Sequence, residues 1–163
     1  MKIYSISDTH FGHENLIQWG RPQEFGSKIL QNIRRLHGDI LIHCGDFCIG
    51  DDERHAELYA TMAMGFSKRI LVRGNHDMKS DAWYLKHGFD FVCLAFEAEY
   101  FGKRFLFTHK PAKRRDGVDR NIHGHLHGNA HRIEDMDGYD PSWHFDLAPE
   151  IREYMPVNIE TTI

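Results

Sequence analysis

KIYSISDTH (residues 2–10) is the stretch on which the fold turns. Its first six residues have the composition of a short buried strand, and Asp8-Thr9-His10 follow at once. One strand ending in Asp and His can be coincidence, but the same kind of ending returns along the chain. DILIHCGD (39–46) is a second apolar run, closing on Gly45-Asp46, and KRILVRGNHD (68–77) is a third, closing on Gly74-Asn75-His76-Asp77. RFLFT (104–108) ends at His109, and VDRNIHGHLHG (118–128) delivers His125 and His127.

The segments between the early strands have helical patterns. SKILQNIRRL (27–36) spaces Ile29, Leu30, Ile33 and Leu36 along one helix face, with Ser27 as N-cap. DDERHAELYATMAM (51–64) opens on acids, which favour a helix N-terminus, and SDAWYLKHG (80–88) closes on Gly88. Strand and helix alternate, so an α/β core with parallel strands is expected. After residue 88 two strands surround a turn at Phe101-Gly102-Lys103. AHRIEDMDG (130–138), SWHFDLAP (142–149) and MPVNIETTI (155–163) read as further strands, and no helix is expected after about residue 90. The expected architecture is a two-sheet β-sandwich flanked by helices, built as one domain over 1–163.

Composition narrows the function. The chain has 163 residues, 41% hydrophobic and 27% charged, enough to bury a core without disulfides or a structural metal. Its net charge of −4 gives no bulk basic field and so no strong nucleic-acid signal. No apolar run is long enough for a membrane helix. Cys44, Cys48 and Cys93 are an odd, low number without a signal peptide, so reduced thiols in a cytoplasmic protein are expected. Cys44 and Cys48 lack the second pair that a zinc site needs. Histidine stands out, with thirteen residues spread from His10 to His144.

In α/β sheets the carboxyl ends of strands form the crevice where ligands bind. Five strand ends bring Asp8, His10, Asp46, Asn75, His109, His125 and His127 to one edge as candidate metal ligands. In Asp8-x-His10 and His125-x-His127, residues two apart face the same side of an extended chain, so each pair can face one cavity. Carboxylate, amide and imidazole donors suit manganese first, with zinc, iron or nickel as alternatives, and they suit calcium poorly. Seven ligands are too many for one tetrahedral ion. Two divalent ions, set against two carboxylates and one bridging hydroxide, leave a net positive charge that attracts phosphate. Such a pair, roughly 3.5–4 Å apart, favours in-line hydrolysis of a phosphoester.

Asp8-x-His10, Gly45-Asp46, Gly74-Asn75-His76-Asp77, Thr108-His109 and Gly124-His125-x-His127, in that order, resemble the motifs of the calcineurin-like metallophosphoesterases. The resemblance spans residues 3 to about 128, and SDTHFGHENLI with Arg21-Pro22 is similar to a subgroup of small bacterial and phage phosphoesterases. It implies that Asp8, His10 and His127 hold one metal, that Asn75, His109 and His125 hold a second, and that Asp46 bridges them. It also implies that His76 is no ligand but the catalytic histidine, bonding the phosphate and protonating the leaving oxygen. The family's protein phosphatases continue the second motif as Gly-Asp-x-x-Asp-Arg-Gly, whereas this chain runs Gly45-Asp46-Phe47-Cys48-Ile49-Gly50-Asp51. The acid that would orient His76 is therefore open among Asp51, Asp52 and Asp77.

A phosphodiester is the expected substrate, nucleotide-type among the options, with a phosphomonoesterase on nucleotides or phosphoproteins as the alternative. A non-catalytic metal-binding scaffold is the third reading. It sits badly with an intact ligand set and His76. His13, Arg21, Lys113, Arg114 and Arg115 are candidate substrate contacts, each weighed against plain surface exposure. His43 reads as a packed core histidine, His123 as a support behind the site or a core residue, and His131 as lying outside it. Oligomeric state is not legible.

Overall fold

The computed structural model describes residues 1–134 and 136–163. Four strands, β1 (Ile3–Ile6), β2 (Gly38–His43), β3 (Phe66–Val72) and β4 (Phe91–Cys93), form a parallel set. A short strand near the C-terminus pairs antiparallel with β1, at Tyr4↔Asn158 and Ser5↔Val157. The second sheet contains β5 (Ala95–Tyr100), β6 (Lys103–Thr108), β7 (Arg120–His123) and β8 (His144–Asp146), in that order across the sheet. Only β5–β6 is antiparallel there. The C-terminal strand is β9 (Val157–Asn158), and it completes the first sheet in the order β4-β3-β2-β1-β9.

Strand alternation explains the layers. In β2, Ile42 faces the second sheet while Leu41 faces the opposite way, and in β3, Val72 and Leu71 divide likewise. Ile3, Ile42, Cys44 and Val72 meet Phe105, Phe107 and Ile122 between the sheets. The outer face of the first sheet is covered by helices α2 (Phe25–Arg34) and α3 (Asp52–Met62), preceded by the single turn α1 (Asn15–Gln18). Helix α4 (Asp81–Lys86) adds Tyr84 to the same layer. The Ser80 side chain accepts from Trp83 N at 3.2 Å and so caps α4. On the far side of the second sheet, Leu106, Val118 and Trp143 form a smaller apolar cluster. The fold is a mixed α/β sandwich of two sheets flanked by helices.

Two expectations are corrected. AHRIEDMDG is not a strand: Ala130–Glu134 is a short helix, α5, followed by a turn, while Asp135 lies outside the described residues. Ile133 N donates to Asn129 O at 3.2 Å, and the Asn129 side chain accepts from His131 N, so local capping outweighs the strand-like composition. MPVNIETTI yields only the two-residue β9 and then a 3-10 turn over Ile159–Thr162. No described helix is long and apolar enough to cross a membrane, and the three cysteines are free.

Candidate metal centre

Beyond β1 and β2 the two chains continue side by side. Asp8 N donates to Gly45 O at 2.9 Å, and His10 N to Asp46 O at 3.0 Å. The expectation that paired ligands face one cavity because the chain is extended is overturned. Asp8, His10, Asp46, His125 and His127 all have positive φ, between 45° and 72°. This is the left-handed region, which costs a non-glycine residue on the order of 1 kcal/mol or more. The strands stop first, at Ile6, His43 and His123, and the tight turns beyond them aim the donors inward.

Close approach of the turns requires glycine at two points. A Cβ on Gly124 would collide with the Ser7 hydroxyl and the Asp8 carboxylate, and a Cβ on Gly74 with the Asp46 carboxylate. The two sheets are tied together across this seam. His125 N donates to Asp8 Oδ2 at 2.9 Å, and Gly124 N to His109 O at 2.9 Å.

The donors fall into two groups. Asp8, His10 and His127 place one ligand atom each within 4.8 Å of one another, and so do Asp46, His109 and His125. Within the first, Asp8 Oδ1 is 3.7 Å from His127 Nε2 and 4.0 Å from His10 Nε2. Asp46 Oδ2 lies 3.4 Å from His109 Nε2 and 3.5 Å from His10 Nε2, so it stands between the groups. Asn75 Oδ1 is 3.0 Å from His109 Nε2. Atoms bound about 2.1 Å from a shared ion at tetrahedral angles lie roughly 3.4 Å apart, close to these spacings. Asp8 Oδ1 and His10 Nε2 are buried and have no hydrogen-bond partner among the described residues. Leaving such atoms unpaired is costly, and a cation satisfies both. The residues fit divalent metal in two adjacent sites.

Electrostatics favour neutral imidazole at His10 and His125, whereas at His109 and His127 burial is outweighed by the neighbouring carboxylates, which raise the ring toward its charged form. Burial, chiefly, pushes His10 down to about 2. Burial, with His109 and Lys110 nearby, lowers His125 to about 4. Burial alone would raise the Asp46 carboxyl, but its hydrogen bond and charge interaction with His109 outweigh this and hold it below the usual carboxylate range. Asp8, wholly enclosed, is pushed up by burial.

The ligands are braced from behind. His109 Nδ1 donates to Cys44 O at 2.9 Å, which leaves Nε2 for the site. His127 Nδ1 meets Glu150 Oε1 at 3.1 Å. His76 N donates to Asp46 Oδ1 at 2.9 Å, and Asp77 accepts from the backbone N–H groups of Asp46, Phe47 and Gly74 at 2.7–2.9 Å. Asp77 therefore shapes the turn and does not orient the His76 ring. Asp51 faces Arg54 at 3.9 Å and Asp52 faces Lys79 at 3.5 Å. None of the three carboxylates bonds that ring. His76 is exposed, 5.5 Å ring to ring from His10, and half-buried His13 lies 5.6 Å from His10.

The structure gives Arg21 a different place from the substrate contact expected of it. Its guanidinium is buried and donates to Glu150 Oε1 at 2.8 Å, Asp8 O at 2.8 Å and Thr9 O at 3.2 Å. It locks the Asp8 turn and Glu150 together. Arg114 and Arg115 are held by Asp140 at 2.7 Å and Glu97 at 3.0 Å, while Lys113 is exposed. His43 is buried, bonded to Thr9 Oγ1 at 2.9 Å, and His123 is buried beside Tyr139. His131 is exposed on α5. Sequence reasoning missed Glu150, Lys110 and Arg132, which carry no motif, and it offered Asp77 only as an acid to orient His76, not as the acceptor of the turn's amides.

A two-sheet sandwich with paired Asp/His groups at its strand ends defines a metallophosphoesterase-type protein. Residues 1–139 match the model of the calcineurin-like phosphoesterase superfamily domain, and the chain belongs to that superfamily. It is similar to a crystal structure of a protein of unknown function from Aquifex aeolicus, at 30% identity and TM-score 0.79, covering 99% of both chains. An uncharacterized protein of Methanocaldococcus jannaschii is 28% identical, over 99% of this chain and 89% of that protein. An archaeal phosphodiesterase shares the fold at 20% identity and TM-score 0.53, over 90% of this chain and 82% of that one.

Proposed function

We propose that the protein is a metal-dependent phosphodiesterase. The observation that carries this reading is the placement of Asp46 Oδ2 between His10 and His109, which joins the two donor groups into one centre. Bound there, two divalent cations, manganese first among them, would neutralise phosphate oxygens and lower the pKa of water to supply the nucleophile. The chain does the rest. Asp8, His10 and His127 would hold one cation and Asn75, His109 and His125 the other, with Asp46 placed to serve both. Asp46 also fixes the backbone of His76. The exposed His76 ring hydrogen-bonds the phosphate and protonates the departing oxygen. Lys110, next in sequence to His109, and Arg132, whose guanidinium donates to His125 O at 3.0 Å, add positive charge at the His125 side. The phosphodiesterase named among the fold relatives agrees with a diester but does not choose the substrate.

The test uses protein stripped by chelation and reloaded with Mn²⁺, with metal content measured and turnover followed on an aryl phosphodiester and the matching monoester. Two metal equivalents and faster diester turnover are expected. Faster monoester turnover replaces the diesterase reading with a phosphatase. Metal binding without turnover of either leaves a scaffold.

A further inference from the structure

The two rims of the centre differ in chemistry. On the His125 side stand the cations Lys110 and Arg132. On the other side His13 leads into an open groove of about 610 Å³ between the β1–α1 turn, the start of α2 and α3, bordered by Glu14, Glu24 and Asp51. Its one arginine, Arg54, is 3.9 Å from Asp51, so two carboxylates are left uncompensated. Trp19 does not line the groove but stands beside His13, which does: it is 74% exposed, its ring edge-on to His13 at 6.1 Å. Neither ring nitrogen of His13 has a hydrogen-bond partner among the described residues, although His13 N and O are fixed in the turn by His10 O and Leu16 N.

Tryptophan is seldom left this open, because its large apolar face is worth covering. Here the face adjoins an imidazole with free polar atoms and lies within reach of a site that takes phosphate. The acidic groove disfavours a further anion.

We infer that Trp19 and His13 form a subsite for an aromatic group of the substrate, a nucleobase or similar ring, joined to a single phosphate, and that the acidic groove excludes chains carrying a second phosphate on that side. The inference rests on the phosphoesterase reading and names its substrate class: single nucleotide-type esters rather than nucleic-acid strands. The ring stacks on Trp19, His13 bonds its edge, and the phosphate lies over the metal centre.

Calorimetry on the Mn²⁺-loaded protein tests this with inorganic phosphate, a nucleoside 5′-monophosphate and the 3′,5′-bisphosphate of the same nucleoside. The monophosphate should bind about 5- to 150-fold tighter than phosphate, the range of one stacked base. Trp19→Ala should remove that gain and leave the phosphate affinity unchanged, while Trp19→Phe should keep most of it. The bisphosphate should bind more weakly than the monophosphate, and Glu14→Gln should narrow the difference. Equal affinity for phosphate and monophosphate overturns the subsite, as does a Trp19→Ala variant that keeps the gain. A bisphosphate that binds tighter overturns the single-phosphate selection. If phosphate itself does not bind, the phosphoesterase reading falls and the subsite with it.

Discussion

The two donor groups have similar ligands but are held in place by different means. Behind Asp46, His109 and His125 stand a main-chain carbonyl, Cys44 O on His109, and the Asp77 carboxylate, which gathers three backbone amides under the Asp46 turn without touching a ligand side chain. Asp8, His10 and His127 are braced by side chains from far along the sequence: Arg21 under the Asp8 turn and Glu150 behind His127. The Cys44 carbonyl survives most substitutions, and Asp77 acts on a ligand only through the backbone, whereas one change at Glu150 removes a bond made directly to the ring of His127. The first group should therefore be the easier one to empty.

Asp46→Asn attacks what the groups share and should have the largest effect. The second metal equivalent is lost and turnover falls to background, read by metal analysis and the diester assay. His76→Ala should keep both metals and slow turnover by about 10²- to 10⁴-fold. Full activity would remove His76 from the chemistry. Glu150→Gln sharpens the comparison most directly. It should weaken one metal equivalent by roughly 10- to 100-fold and spare the other, resolved by metal titration. Equal weakening of both would erase the distinction between the braces. Asp77→Asn exchanges a charged acceptor of three amides for a neutral one, and should lower unfolding free energy by about 2 kcal/mol with metal stoichiometry intact.

The gentlest test is pH, on chelated protein. Burial, chiefly, lowers His43 to about 3 and His123 to about 4. Below pH 6.5 the unfolded chain takes up protons that these folded histidines refuse. Their contribution to stability is complete above that pH and shrinks as pH falls toward 4. Denaturant titrations should lose roughly 1.4 kcal/mol per pH unit for each histidine in that window. Replacing either by Gln should reduce that slope, and an unchanged slope would mean that the replaced histidine is not buried neutral.

Much of the site was legible because its signals are local. A strand that runs straight into Asp-x-His or Gly-Asn-His-Asp writes both element and ligand within ten residues. The turns hid their geometry, because nothing in Asp8-Thr9-His10 announces left-handed φ; packing imposes it. Arg21 read as a phosphate contact because a lone arginine near a site looks free. Its partner Glu150 is 129 positions away and carries no motif. Residues 130–138 misled because a short segment of mixed composition takes its structure from its caps.

The sequence by itself determined which residues hold metal-type donors, that strands end on them, and that helices separate the early strands. All of this follows from side-chain periodicity and composition over a few residues. Tertiary structure alone decided that β9 returns to β1, that the ligand turns take left-handed φ, and that Arg21 turns inward to Glu150. It also left Trp19 open beside His13. Those facts depend on which distant surfaces exclude water together, and no local stretch of chain carries that information.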